Sequence, residues 1–159
     1  MTREARVVVE NGCYHIMTRG NQKQCVFSDY ADYNEYLSLL TKYKKRFKFK
    51  LYGFCLMPNH VHLVIEVKNP SNLNKIMRGL NLSYTLFFNA KYKKVGHLWQ
   101  DRYKSKVIGK DAYLLECISY IEQNPVRASL VPEVSKYLWS SYNFRINKHK
   151  ILDDMFSLL

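Results

Sequence analysis

LMPNHVHLVIEV, residues 56–67, is the stretch that decides the fold, because a turn signal at Pro58 and Asn59 precedes an alternating β pattern. Successive side chains of a strand point to opposite faces, so one face is apolar and buried while the other carries His60 and His62, about 7 Å apart. Two neutral imidazoles on one strand can hold a divalent metal ion, although a complete site needs a further ligand. The alternative interpretation is a half-exposed polar face of the sheet.

The composition indicates a basic, single-domain protein. The chain has 159 residues, with 25 Lys and Arg against 13 Asp and Glu, so the formal net charge is +12. A pI near 9.5 is typical of a protein that binds nucleic acid. The length and the hydrophobic fraction of 47% predict one domain over residues 1–159. Because the sequence has no 18-residue apolar run and no signal-like segment, we expect no membrane partner and a cytoplasmic location.

Patterns along the chain predict the order strand, helix, strand, strand, helix, strand, helix. The predicted segments are a strand at 7–18, a helix capped by Ser28 or Asp29, a strand at 47–56, the histidine strand, a helix from Ser71 to about Lys93, a strand or short hairpin within 97–108, and a helix near 111–124 that Pro125 limits. Two helices on one face of a mainly antiparallel sheet give an α+β sandwich. The ferredoxin-like arrangement is therefore the predicted fold.

The last predicted helix brings a tyrosine and an amide together. At about 100° per residue, Leu114 and Ile118 lie on its apolar side, while Tyr120 and Asn124 lie on the opposite side, one turn apart. A tyrosine hydroxyl can attack phosphorus as a covalent nucleophile, and an amide oxygen can be a third metal ligand. The chain has 13 tyrosines, however, and tyrosines with one apolar and one wet end are common at such helix positions.

Four segments resemble a known family: YHIMTRGN at 14–21, MPNHVHL at 57–63, GHLWQDRYK at 96–104 and YIEQNPVRA at 120–128. In this order they resemble the single-tyrosine HUH transposases of the insertion-sequence type, and they look most like the REP-associated tyrosine transposases. The resemblance runs over about 10–145, which it implies is the core of the catalytic domain. The resemblance implies a ferredoxin-like catalytic domain that acts on single-stranded DNA. It also implies a catalytic-tyrosine helix near the C-terminus.

The resemblance further implies roles for individual residues. It matches His60 and His62 to the metal ligands and Tyr120 to the nucleophile, and Asn124 stands where insertion-sequence relatives have a Gln that completes the metal site. The implied cofactor is Mg²⁺ or Mn²⁺, and two imidazoles lead us to expect that Mn²⁺ supports activity at least as well. The implied products are a 5′-phosphotyrosine and a free 3′-hydroxyl. Insertion-sequence relatives form dimers and the REP-associated ones need not, so a homodimer stays open.

Basic and aromatic residues indicate where single-stranded or hairpin DNA would bind, because cations follow phosphates and aromatic rings stack on unpaired bases. The candidate contacts are Arg19, Lys44, Lys45, Arg46, Lys48, Trp99, Gln100, Arg102, Lys104 and Arg127. Alternatively, the lysines and arginines of this list form only a solvated charged surface, and Arg127 is a cation that stabilises the end of a helix. His15 and His97 are interpreted as structural histidines, with an extra metal ligand or a DNA contact as the alternative.

The leading hypothesis is an enzyme that cleaves and rejoins single-stranded DNA. The alternative from a different class is a non-catalytic nucleic-acid-binding module, because ferredoxin-like sheets with aromatic residues also bind RNA. A replication initiator or relaxase would normally have a longer chain. A zinc hydrolase would need a further His or Asp cluster, and the four cysteines include no Cys-x-x-Cys pair.

Overall fold

The computed structural model describes residues 5–155, which form a four-stranded antiparallel sheet with helices on both faces. In chain order they form β1 (Gly12–Arg19), α1 (Tyr30–Phe47), β2 (Lys50–Met57), β3 (His60–Val67), α2 (Ser71–Tyr92), β4 (Lys104–Ile108), α3 (Ala112–Glu122), α4 (Asn124–Arg127) and α5 (Ser141–Ile146), with 3₁₀ turns at Asn21–Lys23 and Val134–Lys136. The strand order is β2-β3-β1-β4, and each neighbouring pair is antiparallel. The predicted order of elements and the α+β, ferredoxin-like class are confirmed.

β3 separates two cores because its side chains alternate between the faces of the sheet. Its odd-numbered residues are buried in the larger core, against α1 and α2. On the opposite face Val64 packs with Leu114 and Ile118 of α3 in a smaller core. The two long helices therefore cover one face, and α3 lies on the face that bears His60 and His62.

Three strands are shorter than predicted, and β2 is one of them, because α1 continues to Phe47 and β2 begins only at Lys50. β1 begins at Gly12, because the chain before it makes a turn in which Asn11 has a left-handed φ of 51°. The segment 97–103 is a loop rather than a strand or hairpin. An isolated β-bridge between Gly20 and Trp99 joins this loop to the end of β1, and only β4 continues as a strand.

The helix caps follow the sequence signals with one exception. Asp29 caps α1 and Asp111 caps α3, each by accepting a hydrogen bond from a backbone amide of the first turn. α2 begins at Ser71, but the capping side chain is that of Asn69, whose Oδ1 accepts from the Ser71 amide at 3.1 Å. Among the helices of residues 5–155, none combines the length and apolarity that crossing a membrane would need.

The chain after α5 folds back along β2. The Asp153 amide donates to the Leu51 carbonyl at 2.8 Å, and the Leu51 amide donates to the Asp153 carboxylate at 2.9 Å. Earlier in the chain, the Trp139 carbonyl accepts from the Leu56 amide at 2.8 Å. These contacts cover backbone groups of a sheet edge that would otherwise be open to another strand.

Gly20 lies where the end of β1 meets the turn before β3, and we expect Gly20→Ala to destabilise the fold. An added Cβ would lie 2.3 Å from the Gln24 carbonyl oxygen, which is a backbone atom. The free energy of unfolding is expected to fall by about 1–3 kcal/mol, measured by urea denaturation. Gly109→Ala is the matched control, because its added Cβ would first meet the Asp111 side chain, at 3.1 Å. Equal unfolding midpoints for Gly20→Ala and the wild type would contradict the prediction.

Candidate active site

The turn that precedes β3 is fixed by backbone hydrogen bonds from the segment after β1. The Asn59 carbonyl accepts from the Gly20 amide at 2.8 Å, and the Pro58 carbonyl accepts from two amides of the segment before α1, at 2.7 and 3.2 Å. His60 and His62 follow on β3 with their ring centroids 5.0 Å apart. Both imidazoles lie on the same face of the sheet, as the alternating pattern predicts, and α3 packs on that face.

Hydrogen bonds identify the nitrogen of His60 that is available to a ligand. Asn59 Oδ1 can only accept, and it lies 2.7 Å from His60 Nδ1, so the neutral ring carries its proton on Nδ1. His60 Nε2 keeps a lone pair and accepts from Asn124 Nδ2 at 3.1 Å. Rotating the Asn124 amide would present its oxygen at the same place. The structure thus brings together two predicted metal ligands that are far apart in the sequence.

Burial keeps both imidazoles neutral at pH 7. His62 is 6% exposed, and burial, reinforced by nearby imidazoles and guanidinium groups, lowers its pKa to about 3. Burial, reinforced by the Arg19 cation, lowers the pKa of His60 to about 4. Neutral imidazole is the form that binds a metal ion, so the two rings need no deprotonation before they act as ligands.

The chemistry of these side chains fits a divalent cation. Two imidazole nitrogens and an amide oxygen suit an ion such as Mn²⁺ or Mg²⁺ and leave coordination positions open. Residues 5–155 contain no group of three His, Cys, Asp or Glu side chains that could hold a metal ion. Asn124, whose side chain carries an amide oxygen, is already in contact with His60 and is the candidate for a third protein ligand.

Asn124 does not lie on the same helix as Tyr120, which corrects the predicted helix over 111–124. α3 ends earlier and α4 begins at Asn124, because the ring nitrogen of Pro125 has no hydrogen to donate back along α3. Gln123, between the two helices, keeps a right-handed helical conformation with φ −79° and ψ −9°. The break is therefore local, and the asparagine side chain still contacts β3.

Tyr120 lies on the outer side of α3, with 56% of its surface exposed. Ile118 and Ile121 are buried against the sheet, so the helix is anchored while the phenol remains accessible to a macromolecule. Arg127 Cζ lies 4.0 Å from the centroid of the Tyr120 ring, and Arg127 Nη2 donates to the Tyr120 carbonyl at 2.6 Å. The structure thus places Arg127, a predicted DNA contact, against the predicted nucleophile.

Glu122 anchors the end of α3, although the sequence analysis did not identify it. Its buried carboxylate accepts from Ser141 Oγ at 2.5 Å and from Arg145 Nη2 at 2.9 Å. Ser141 Oγ in turn accepts from the Phe54 amide of β2 at 3.0 Å. Glu122 follows Ile118 by four residues and shares its apolar side, and this position is the sequence signal for a buried, paired charge.

Four predicted DNA contacts meet in one small cleft beside the histidines. The cleft has a volume of about 130 Å³ and is lined by Met17, Thr18, Arg19, Gln100, Asp101, Arg102 and Lys104. It forms because the Gln100 amide donates to the Arg19 carbonyl at 2.8 Å and Lys104 pairs with β1. Arg19 is also the cross-strand partner of His60, so one cation of the cleft lies next to a candidate metal ligand.

The basic residues at the end of α1 lie far from the histidines. These predicted DNA contacts are Lys44, Lys45, Arg46 and Lys48. They precede the start of β2, where Lys50 pairs with Glu66, at the opposite end of β3 from His60. Eight residues of strand span about 23 Å, and α1 also packs on the opposite face of the sheet. Lys44 is moreover paired with the Asp153 carboxylate at 2.8 Å.

Two further side chains differ from their predicted surroundings. Trp99 is only 9% exposed, and its Nε1 donates to the Asn81 carbonyl at 3.2 Å, so most of the ring packs in the larger core. His15 contacts a predicted metal ligand directly, because its Nε2 lies 2.9 Å from His62 Nδ1. His97 is exposed in the 97–103 loop.

Comparisons with known proteins identify the family of this chain. A family model described as IS200-like transposase matches residues 8–124, a range that contains His60, His62, Tyr120 and Asn124. A protein of Haemophilus influenzae described as a REP-associated tyrosine transposase is 25% identical over 155 residues, covering 90% of this chain and 86% of the relative.

Two solved structures share the fold. One is a REP-associated tyrosine transposase bound to a REP hairpin, with a TM-score of 0.78 at 17% identity, covering 98% of this chain and 90% of the other. The second is described as a transposase from Deinococcus radiodurans, with a TM-score of 0.53 at 17% identity, covering 77% of this chain and 97% of the other. Because the family model spans most of the sequence, the resemblance of its motifs is confirmed, and this chain belongs to the IS200-like transposase family.

Proposed function

We propose that this chain is a metal-dependent transposase that cleaves and rejoins single-stranded DNA through a 5′-phosphotyrosine at Tyr120. The observation that carries the proposal is the 3.1 Å contact between His60 Nε2 and Asn124 Nδ2. It joins the histidine strand to the segment that follows Tyr120, on one face of the sheet. Membership of a transposase family supports DNA strand transfer as the class of reaction.

In the proposed reaction, three side chains bind the metal ion and a fourth is the nucleophile. His60, His62 and Asn124 would hold Mg²⁺ or Mn²⁺, which when bound polarises the scissile phosphate. The Tyr120 oxygen attacks phosphorus, its proton passes to solvent, and the bond from phosphorus to the 3′ oxygen breaks. That oxygen takes up a proton and leaves as a 3′-hydroxyl. Because one phosphodiester replaces another, a 3′-hydroxyl can later attack the phosphotyrosine and release the phenol without a nucleotide cofactor.

The substrate that we propose is hairpin DNA with an unpaired flank. A solved structure with the same fold is a transposase bound to a REP hairpin, and a net charge of +12 suits the phosphate backbone of DNA. Arg19, Arg102 and Lys104 line the cleft beside the histidines and would contact the strand that enters the site.

A covalent adduct between protein and DNA tests the proposed function. Hairpin oligonucleotides with randomised single-stranded flanks, labelled at the 3′ or the 5′ end, are incubated with the protein and Mn²⁺ and separated on a denaturing gel. If a 5′-phosphotyrosine forms, the protein stays joined to the fragment that carries the 3′ end. The label is therefore expected to migrate with the protein when the DNA is labelled at the 3′ end but not at the 5′ end, and to be lost from the protein in EDTA. Binding of these hairpins without any adduct would favour the non-catalytic nucleic-acid-binding module.

Removing two cations from the cleft is expected to weaken DNA binding. In the double variant Arg102→Gln/Lys104→Gln, the loss of two phosphate contacts raises Kd roughly tenfold at about 0.15 M salt and reduces the salt dependence. Lys44→Gln is the matched control, because Lys44 is paired with Asp153 and lies toward the other end of β2. Fluorescence anisotropy at several salt concentrations measures both effects. An equal loss of affinity in Lys44→Gln would contradict the prediction.

A further inference from the structure

His15 makes a direct contact with one of the candidate metal ligands. It lies on β1 opposite Val64, so its side chain shares the face of the sheet that carries His62, its diagonal neighbour on β3. His15 Nε2 is 2.9 Å from His62 Nδ1, and the ring centroids are 5.1 Å apart with planes inclined by only 26°, so the two rings meet edge to edge.

A hydrogen bond between two neutral imidazoles requires one nitrogen to donate and the other to accept. If His15 donates, His62 carries its proton on Nε2, and that nitrogen cannot bind a metal ion. If His62 donates from Nδ1, its Nε2 keeps a lone pair and can bind one. Only the second arrangement is compatible with the ligand role of His62.

We propose that His15 is a positioning residue that accepts the hydrogen bond from His62 Nδ1 and thereby directs the lone pair of His62 Nε2 to the metal ion. This inference rests on the proposed function, since it concerns the same metal site. His60 shows a parallel arrangement, because Asn59 Oδ1 accepts from its Nδ1 at 2.7 Å and leaves Nε2 available. Each histidine ligand thus has its own acceptor, supplied by β1 for one and by the β2–β3 turn for the other.

His15 acts through His62 and is not itself a ligand in this arrangement. Its Nε2 is occupied by the contact with His62 Nδ1, whereas the metal would lie at the opposite nitrogen of that ring. Partners of this kind fix both the orientation and the tautomer of a ligating imidazole, and their loss typically weakens metal binding by about 10–100-fold.

Two substitutions separate hydrogen bonding from packing. His15→Phe keeps an aromatic ring beside His62 but cannot accept a hydrogen bond, whereas the side-chain oxygen of His15→Gln can accept one. We expect His15→Phe to weaken Mn²⁺ binding by about 10–100-fold and His15→Gln to restore most of the affinity. Mn²⁺ titration followed by electron paramagnetic resonance, without DNA, measures this affinity, and thermal unfolding shows that each variant is folded.

The tautomer of His62 gives a second readout that does not need a metal ion. In wild-type protein, ¹⁵N NMR of the histidine rings is expected to show His62 protonated on Nδ1, and in His15→Phe a mixture of the two tautomers. Protonation of His62 on Nε2 in the wild type, or unchanged Mn²⁺ affinity in a folded His15→Phe, would overturn the proposal. Failure of the wild type to bind Mn²⁺ would instead count against the proposed metal dependence, and the NMR measurement would still test the role of His15.

Discussion

Tyr120→Phe is expected to abolish the covalent DNA adduct while leaving DNA binding intact. The substitution removes only the hydroxyl that would attack phosphorus, and we expect adduct formation to fall by at least about a thousandfold. The side chain is 56% exposed and its ring can still stack against Arg127, so the free energy of unfolding is expected to change little. Denaturing gels measure the adduct, and anisotropy measures hairpin affinity.

Tyr113 offers a matched control for this experiment. It lies on the same helix, α3, and is 67% exposed, so Tyr113→Phe removes the same group from a comparable environment. We expect its adduct yield to equal that of the wild type. An adduct that persists in Tyr120→Phe would identify another nucleophile, and one that disappears in both variants would point to a general effect on α3.

His62→Ala is expected to remove both Mn²⁺ binding and the adduct. The substitution deletes one of three proposed protein ligands. Losing only the hydrogen-bond partner of a ligand weakens metal binding by up to about a hundredfold, so we expect the loss of the ligand itself to have a larger effect. Binding of hairpin DNA is expected to persist, because the cations of the cleft belong to other residues. Mn²⁺ titration and the gel assay follow the two losses separately.

Two controls accompany the His62 substitution. His97→Ala removes an exposed imidazole from the 97–103 loop and is expected to leave Mn²⁺ affinity unchanged. Because His62 is only 6% exposed, thermal unfolding must show that His62→Ala is folded. The variant Asn124→Ala removes another proposed ligand of the same site, and its side chain is less buried. Adduct formation by His62→Ala in the presence of EDTA would refute metal dependence.

The face that carries the histidines could be predicted because a strand has a period of two. Once the apolar residues of β3 are assigned to the core, His60 and His62 must point the other way. The helix starts at Asp29 and Asp111 could also be predicted, because each aspartate accepts a hydrogen bond from the first turn of the helix that follows it. These features are local, and the local chain contains the information for them.

Contacts between distant segments could not be predicted in this way. Periodicity shows that α3 has an apolar side, but not which face of the sheet covers it. His15 meets His62 only through the register of β1 against β3, which no single segment specifies. For the same reason the sequence does not reveal that the basic run that includes Lys44 lies the length of a strand away from the histidines.

The hydrogen bonds of Glu122 fix the end of α3, the helix that carries the proposed nucleophile Tyr120, before DNA binds. Sliding or turning α3 would separate the buried carboxylate from Ser141 and Arg145, and an unpaired buried charge costs about 3–5 kcal/mol. Other positions of α3 on the sheet are therefore rarely populated. The conformational entropy of fixing the end of α3 beside β2 is lost during folding, so it does not have to be lost when DNA binds.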